Sequence, residues 1–178
     1  MTITALEILD SAIKIGLGAL ISGIATYKTL KATHAHDKSK ESREHKIKSL
    51  EMISEKCDIF FVAYGRYKGT LDGILKDRSM MEEFPLNEDQ LERLLESDVN
   101  LFPARDGVQI ATSRLVLLGA NEALKHLTKV VENIADLRND IRHNKIAPST
   151  ADLKMTNETV SNAFGDFRQE LRKIYEAL

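Results

Sequence analysis

The sequence predicts an all-α protein, and three observations support this fold class. Only three prolines and nine glycines occur in 178 residues, so long stretches carry no helix breaker. Aromatic residues make up 6% of the chain, and no segment alternates apolar and polar residues as a half-buried strand does. Apolar residues recur instead at intervals of three and four. We therefore predict a helical bundle of three long helices and one short helix, preceded by an apolar N-terminal helix.

The N-terminal region, residues 1–31, is predicted to be a membrane anchor. Thirteen uncharged residues lie between Lys14 and Lys28, fewer than the roughly 20 that a spanning helix needs. The segment extends to residues 11–30 if the two lysines reach back to the headgroups. Seven Lys/Arg against three acids between residues 28 and 48 fit the positive-inside rule, which places the main domain in the cytoplasm at the inner membrane. The alternative is an apolar helix packed in a bundle or oligomer of a cytoplasmic protein.

Residues 32–46 are predicted to form a basic juxtamembrane linker or the start of a helix. This run could bind anionic lipid or RNA, and the neighbouring anchor favours lipid. His36 and His45 could approach each other as metal ligands, but no carboxylate or cysteine pattern completes such a site. We predict no metal and no other cofactor. The single Cys57 cannot form an internal disulfide, which fits a reducing compartment.

Residues 37–178 are predicted to form the helical domain, and its first helix runs from Asp37 to about Arg78. Phe84 and Pro85 interrupt the helical pattern. Asn87 and Gln90 then have the spacing of a capping box, which predicts a short helix through Leu91, Leu94 and Leu95. Apolar residues repeat along the first helix at three-four spacing, namely Ile47, Leu50, Ile53, Cys57, Phe60, Phe61, Tyr64, Leu71 and Ile74.

After Phe102 and Pro103, a single helix is predicted from Asp106 to about Asn144, ending before Pro148. Its apolar face is predicted to hold Leu117, Ala120, Leu124, Leu127, Val131 and Ile134, with Ile141 at the margin. The last helix is predicted to begin at Ser149 or Thr156. It has a clean apolar stripe of Val160, Ala163, Phe164, Phe167, Leu171, Ile174 and Leu178.

The residues with the most suggestive chemistry lie at the predicted end of the third helix, in the segment RNDIRH at 138–143. At about 100° per residue, Arg142 lies near 40° from Arg138, Asn139 near 100° and His143 near 140°. The predicted apolar stripe is centred close to Arg138. A guanidinium at such a position must be paired, reach water or face a groove or second subunit.

An arginine and a histidine supply two functions that metal-independent RNA cleavage requires, phosphate binding and proton transfer. The guanidinium binds phosphate through a planar fork of donors. Histidine titrates near neutrality, so it can accept a proton from a ribose hydroxyl or donate one to a leaving oxygen. The alternative is a solvated helix end, whose basic residues lie favourably against the C-terminal dipole.

The segment resembles the motif of HEPN-domain ribonucleases, an arginine followed by a polar residue, often Asn, with a histidine four to six residues beyond. The resemblance implies a helical domain over residues 37–178 that forms a homodimer with facing motifs and cleaves RNA without metal. It implies that Arg138 stabilises phosphate charge, that His143 is the acid or base and that Asn139 orients or binds the scissile group. Arg142 and Lys145 are predicted to bind RNA phosphate.

We therefore expect a membrane-tethered endoribonuclease that cuts cytoplasmic RNA as a toxin or defence effector. The resemblance also implies a neutralising antitoxin or regulatory partner. The alternative function is a non-catalytic helical membrane adaptor or binding module, because many members of the family have lost activity.

Overall fold

The computed structural model describes residues 5–76 and 82–178, and side chains within residues 5–25 and 29–39 are not described. The described residues form five helices, α1 Ala5–Lys76, α2 Glu88–Asp98, α3 Leu101–Leu118, α4 Asn121–Asn144 and α5 Thr150–Glu176, with two-residue strands β1 Phe84–Pro85 and β2 Ile146–Ala147. The prediction of an all-α protein is confirmed. The finer prediction differs in two places, because α1 continues through the N-terminal region and the third long helix is two helices.

The chain divides into two compact units, one up to His45 and one from Lys46 to Leu178. In the first unit the backbone is helical from Ala5 onward. Most of the side chains on which the anchor prediction rests lie outside the described residues, as do the side chains of His34 and His36. Tyr27 and Lys28 are exposed. No helix in the described part of the chain is long and apolar enough to cross a membrane.

In the second unit, α1 packs against both α3 and α5. The rings of Phe61 and Phe164 stack at a centroid distance of 4.1 Å, and Tyr64 Oη donates a hydrogen bond to Asn157 Oδ1 at 2.5 Å. On the α3 side, Gly107 faces the Lys56 side chain closely enough that an added Cβ would lie 3.3 Å from Cδ. Helices α1 and α5 are antiparallel, because the residue numbers of their contacting pairs fall on α5 as they rise on α1.

The core of this unit is apolar and continuous across all five helices. Its fully buried large side chains are Phe167, Ile53, Leu71, Ile74, Leu94, Leu115, Leu127, Val130, Val160 and Cys57. Burial raises the pKa of the Cys57 thiol to about 12, helped by the neighbouring Asp58 carboxylate. Cys57 is therefore a packing residue with an inert thiol.

The predicted single helix over residues 106–144 is wrong because the chain turns at Gly119. This residue adopts the left-handed conformation (φ 67°), and its N–H bonds to the carbonyls of Leu115 and Val116. Only glycine takes that conformation without steric cost. Pro103, predicted to lie in a connection, instead falls in the first turn of α3, where a helix tolerates its missing N–H.

Other helix boundaries follow the predicted chemistry. Asn87 and Gln90 form the reciprocal capping box at the start of α2, as predicted. Ser149 caps α5 by accepting a hydrogen bond from Asp152 N–H, which decides between the two predicted starts. Helix α1 ends at Lys76, and Arg78, its predicted end, lies outside the described residues.

Two short strands, which the sequence pattern did not predict, fix the C-terminal end of α4. Phe84 pairs with Ala147 and Pro85 with Ile146 in an antiparallel arrangement. The adjacent Leu86 N–H donates to the carbonyl of Lys145 at 2.8 Å. The segment before α2 is thereby joined to the residues that follow α4.

Candidate functional site

The candidate site lies in the last two turns of α4, where the helix ends in a defined geometry. Lys145 closes it in the left-handed conformation (φ 54°), and its N–H bonds to the carbonyl of Ile141 at 2.9 Å. Arg142 and His143 lie in the last turn. Positive charge there is favourable against the partial negative charge of the helix end.

The burial of α4 corrects the predicted phase of its apolar stripe. Its buried residues are Ala123, Leu127, Val130, Ile134, Leu137 and Ile141. They centre roughly 60° from Arg138 at 100° per residue. The predicted stripe included Leu124 and Val131, which are only partly buried. It omitted the buried Ala123, Val130 and Leu137, so its centre fell on Arg138. Leu117, also in that stripe, precedes the turn at Gly119 and is 85% exposed. Arg138 therefore lies at the margin of the core, and Ile141, predicted at the margin, is within it.

Arg138 is paired with Asp98, the last residue of α2. Its Nε donates to Asp98 Oδ1, and its Nη2 donates to Asp98 Oδ2 at 2.5 Å. The two side chains are only 13% and 11% exposed. Such a bidentate pair is charge-assisted and fixes the plane of the guanidinium. Of the alternatives expected for an arginine at this position, pairing is met by a carboxylate 40 residues away, and Arg138 also lines a groove.

Two aromatic rings complete the surroundings of the pair. The Phe102 ring centroid lies 5.8 Å from the Arg138 guanidinium carbon, within cation–π range. Tyr67 is buried beside the pair. Burial raises the pKa of Tyr67 well above its usual value, and the Asp98 carboxylate adds to the effect. The hydrogen bonds from Arg138 to Asp98 raise the pKa of the guanidinium, so Arg138 stays charged.

The other predicted site residues are exposed on α4 and immediately after it. Asn139, Arg142, His143 and Lys145 all face solvent. Arg142 lines the same groove as Arg138, together with Tyr67, Leu91, Leu94, Leu95, Asp98 and Ile141. His143 is not among the residues that line this groove. One protomer thus places Arg138 and Arg142 in one groove and His143 outside it.

Exposed apolar side chains border the Arg138 groove at the corner between α2 and α3. Leu95 is 42% exposed, Val99 67% and Phe102 58%. Leu95 lines the groove and Phe102 contacts the guanidinium, so this surface is continuous with the site. We call Leu95, Val99 and Phe102 the apolar corner.

A larger cleft, of about 460 Å³, involves a different side of α4. Its lining includes the acidic residues Glu83, Asp136, Asp140 and Asp152. Phosphates of RNA are repelled by such a surface. Among the side chains that the structure describes, no cluster of three or more His, Cys, Asp or Glu could hold a metal ion.

Asp98 is the site residue that the sequence did not reveal. A paired Arg138 was one of the predicted alternatives, but 27 acidic residues were available as partners. Tyr67 was assigned to core packing, which is correct for its ring but missed its position beside the ion pair. The one available signal was spacing: Asp98 follows Leu91, Leu94 and Leu95 by seven, four and three residues, which places an acidic side chain on the apolar face of α2.

Comparisons of the chain with protein-family models, with curated proteins and with solved structures found no match.

Proposed function

We propose that this protein is a metal-independent endoribonuclease of HEPN type that acts as a homodimer on cytoplasmic RNA, as a toxin or defence effector. The observation that carries the proposal is the arrangement of side chains at the end of α4. A partly exposed, oriented Arg138 lies beside Arg142 in a groove, while Asn139 and His143 stand exposed on the same helix. The all-α bundle and the RNDIRH segment agree with the resemblance.

The homodimer is supported by the apolar corner and by the separation of His143 from Arg138. An exposed apolar surface beside a polar site is typical of a protein–protein interface. A second copy docked there would bring two α4 ends together, so that groups from both protomers form one site. Arg138 and His143, which lie roughly 140° apart around one helix, would then act across the interface.

In the proposed reaction, the ribose 2′-oxygen attacks the adjacent phosphorus and its proton passes to His143 of one protomer. The bond from phosphorus to the 5′-oxygen breaks, and that oxygen takes a proton from His143 of the partner subunit. Products are a 2′,3′-cyclic phosphate and a 5′-hydroxyl. Arg138 stabilises the charge on the non-bridging oxygens, and Asn139 orients the scissile group.

Purified protein should cut single-stranded RNA in EDTA, and His143→Ala should lose at least about 100-fold in kcat, the contribution typical of general acid–base catalysis. His126→Ala is the matched control, since it removes the other histidine of α4, which lies near Asp166. Equal cleavage by wild type and His143→Ala would overturn the catalytic assignment.

Membrane association through residues 11–30 belongs to the same proposal. Its support is the run of thirteen uncharged residues followed by a basic segment. The full chain should stay with the membrane fraction after a carbonate wash, whereas release into the supernatant would favour a helix packed in an oligomer.

The second candidate function is a non-catalytic helical adaptor or binding module. The Arg138–Asp98 pair favours it, because a paired arginine at the margin of a core is explained by packing alone. Expression should then be harmless to the host. Comparing growth on expression of wild type and His143→Ala at equal levels separates the candidates, since only a ribonuclease is detoxified by that change.

A further inference from the structure

We infer that Asp98 is a positioning residue, which orients Arg138 so that one edge of its guanidinium is left to bind a phosphodiester. The inference rests on the proposed function and assigns that site its phosphate-binding group. Three features support it, namely the hydrogen-bond pattern of the pair, its surroundings and the local charge.

The hydrogen bonds to Asp98 occupy one edge of the guanidinium, and the N–H groups of its other edge do not bond to Asp98. An arginine side chain has five N–H donors. Asp98 accepts from Nε and from one N–H of Nη2. Three donors remain, one on Nη2 and two on Nη1. The outward N–H groups of Nη1 and Nη2 form a second fork of the kind that binds phosphate in a bidentate manner.

The surroundings restrict the side chain to this orientation. Phe102 lies over the guanidinium and Tyr67 is buried beside the pair. Helix α2 ends at Asp98 and is followed closely by α3, so the carboxylate belongs to a packed corner. The donors that Asp98 does not use therefore keep a fixed direction, which lowers the entropic cost of binding a ligand.

The charge around the pair favours an anion. Asp98 balances the charge of Arg138, and Arg142 in the same groove adds an unbalanced positive charge. Lys145 follows Arg142 by three residues and is exposed. A phosphodiester at the groove would accept hydrogen bonds from an oriented guanidinium and be attracted by Arg142.

The test is the affinity of a short 2′-O-methyl oligoribonucleotide, which lacks the attacking hydroxyl and stays intact. Asp98→Asn removes a negative charge, so simple electrostatics predicts tighter binding. The positioning role predicts the opposite, a loss of about 10-fold. The slope of log K against log salt should also fall by about one, as expected for a lost phosphate contact. Asp140→Asn, the same change on the acidic side of α4, is the matched control and should not weaken binding.

Two further variants guard against a loss of folding. Asp98→Glu keeps the carboxylate and should retain part of the affinity. Arg138→Lys keeps the charge but has no fork, and should reproduce the loss in Asp98→Asn. All variants are compared below their own thermal midpoints. A lower midpoint in Asp98→Asn with unchanged oligonucleotide affinity would show a purely structural pair and overturn the inference.

The outcomes also separate this inference from the proposed function. Cleavage by wild type with unchanged cleavage and binding in Asp98→Asn rejects the inference alone. Binding that depends on Asp98 without any cleavage rejects the ribonuclease and supports the inference. A wild-type protein that neither binds nor cuts RNA rejects both.

Discussion

Asp98 and Arg138 are joined by two hydrogen bonds between the end of α2 and the penultimate turn of α4. Removing either residue leaves the charge of the other without its partner. The loss is costly because both side chains are largely buried. The pair therefore constrains the position of α4 relative to the corner between α2 and α3.

We predict that Asp98→Ala and Arg138→Ala each lower the free energy of unfolding by about 3 kcal/mol. The double variant should cost less than the sum, because the second substitution removes an already unpaired charge. Denaturant unfolding measures all three. The exposed Arg168–Asp58 pair, 2.6 Å apart, is the control and should cost no more than about 1 kcal/mol. Additive costs at Asp98 and Arg138 would contradict a coupled pair.

We predict that Val99→Asp weakens a homodimer and lowers RNA cleavage together. Val99 is the most exposed residue of the apolar corner, and a carboxylate there would have to be desolvated in an interface. Sedimentation velocity measures the dimer, and a cleavage assay at matched concentration measures activity. Leu117→Asp, at an exposed leucine of α3, is the control and should change neither. A dimer that resists Val99→Asp would place the interface elsewhere.

We predict that Lys145→Gly raises thermal stability while weakening RNA binding. Lys145 is left-handed, a conformation that costs a residue with a Cβ about 1 kcal/mol and glycine little. The expected gain is about 0.5 kcal/mol after the entropy that glycine loses on folding. Binding should fall because a predicted phosphate contact is removed. Unchanged binding at a raised midpoint would confine Lys145 to capping the helix.

We predict a loss of stability at alkaline pH that depends on Tyr64. Burial raises the pKa of Tyr64 to about 12, with a smaller effect from Asp72. The unfolded chain ionises near pH 10 and the folded chain near 12, so stability is full below pH 10 and falls up to about pH 12. Tyr64→Phe should reduce this fall, and at neutral pH should cost about 1 kcal/mol through the lost bond to Asn157.

Denaturant unfolding between pH 8 and 12 measures the effect, with Tyr175→Phe at an exposed tyrosine as the control. An alkaline loss of the same size in wild type and Tyr64→Phe would assign it to other groups, of which buried Tyr67 is the first.

Local sequence predicted the start of α2, the end of α4 and one of two candidate starts of α5, because such signals act within one turn. The capping box of Asn87 and Gln90 and the cap at Ser149 depend on side chains that reach only neighbouring backbone groups. The turn at Gly119 had a signal of the same kind, a glycine after a run of apolar residues, but the apolar spacing appeared to continue across it. The predicted apolar stripe of α4 also omitted the buried Val130 and Leu137, and this omission placed Arg138 too deep in the core.

The amino-acid sequence alone determined the all-α class and the position of the RNDIRH segment at the end of a helix, because helix periodicity and caps are local properties. The tertiary structure decided which carboxylate meets Arg138. This pairing could not come from spacing along the chain, because α2 and α4 meet only after the core has packed. Arg138 pairs with Asp98 because the packed fold places the two side chains side by side, although they lie 40 residues apart in the sequence.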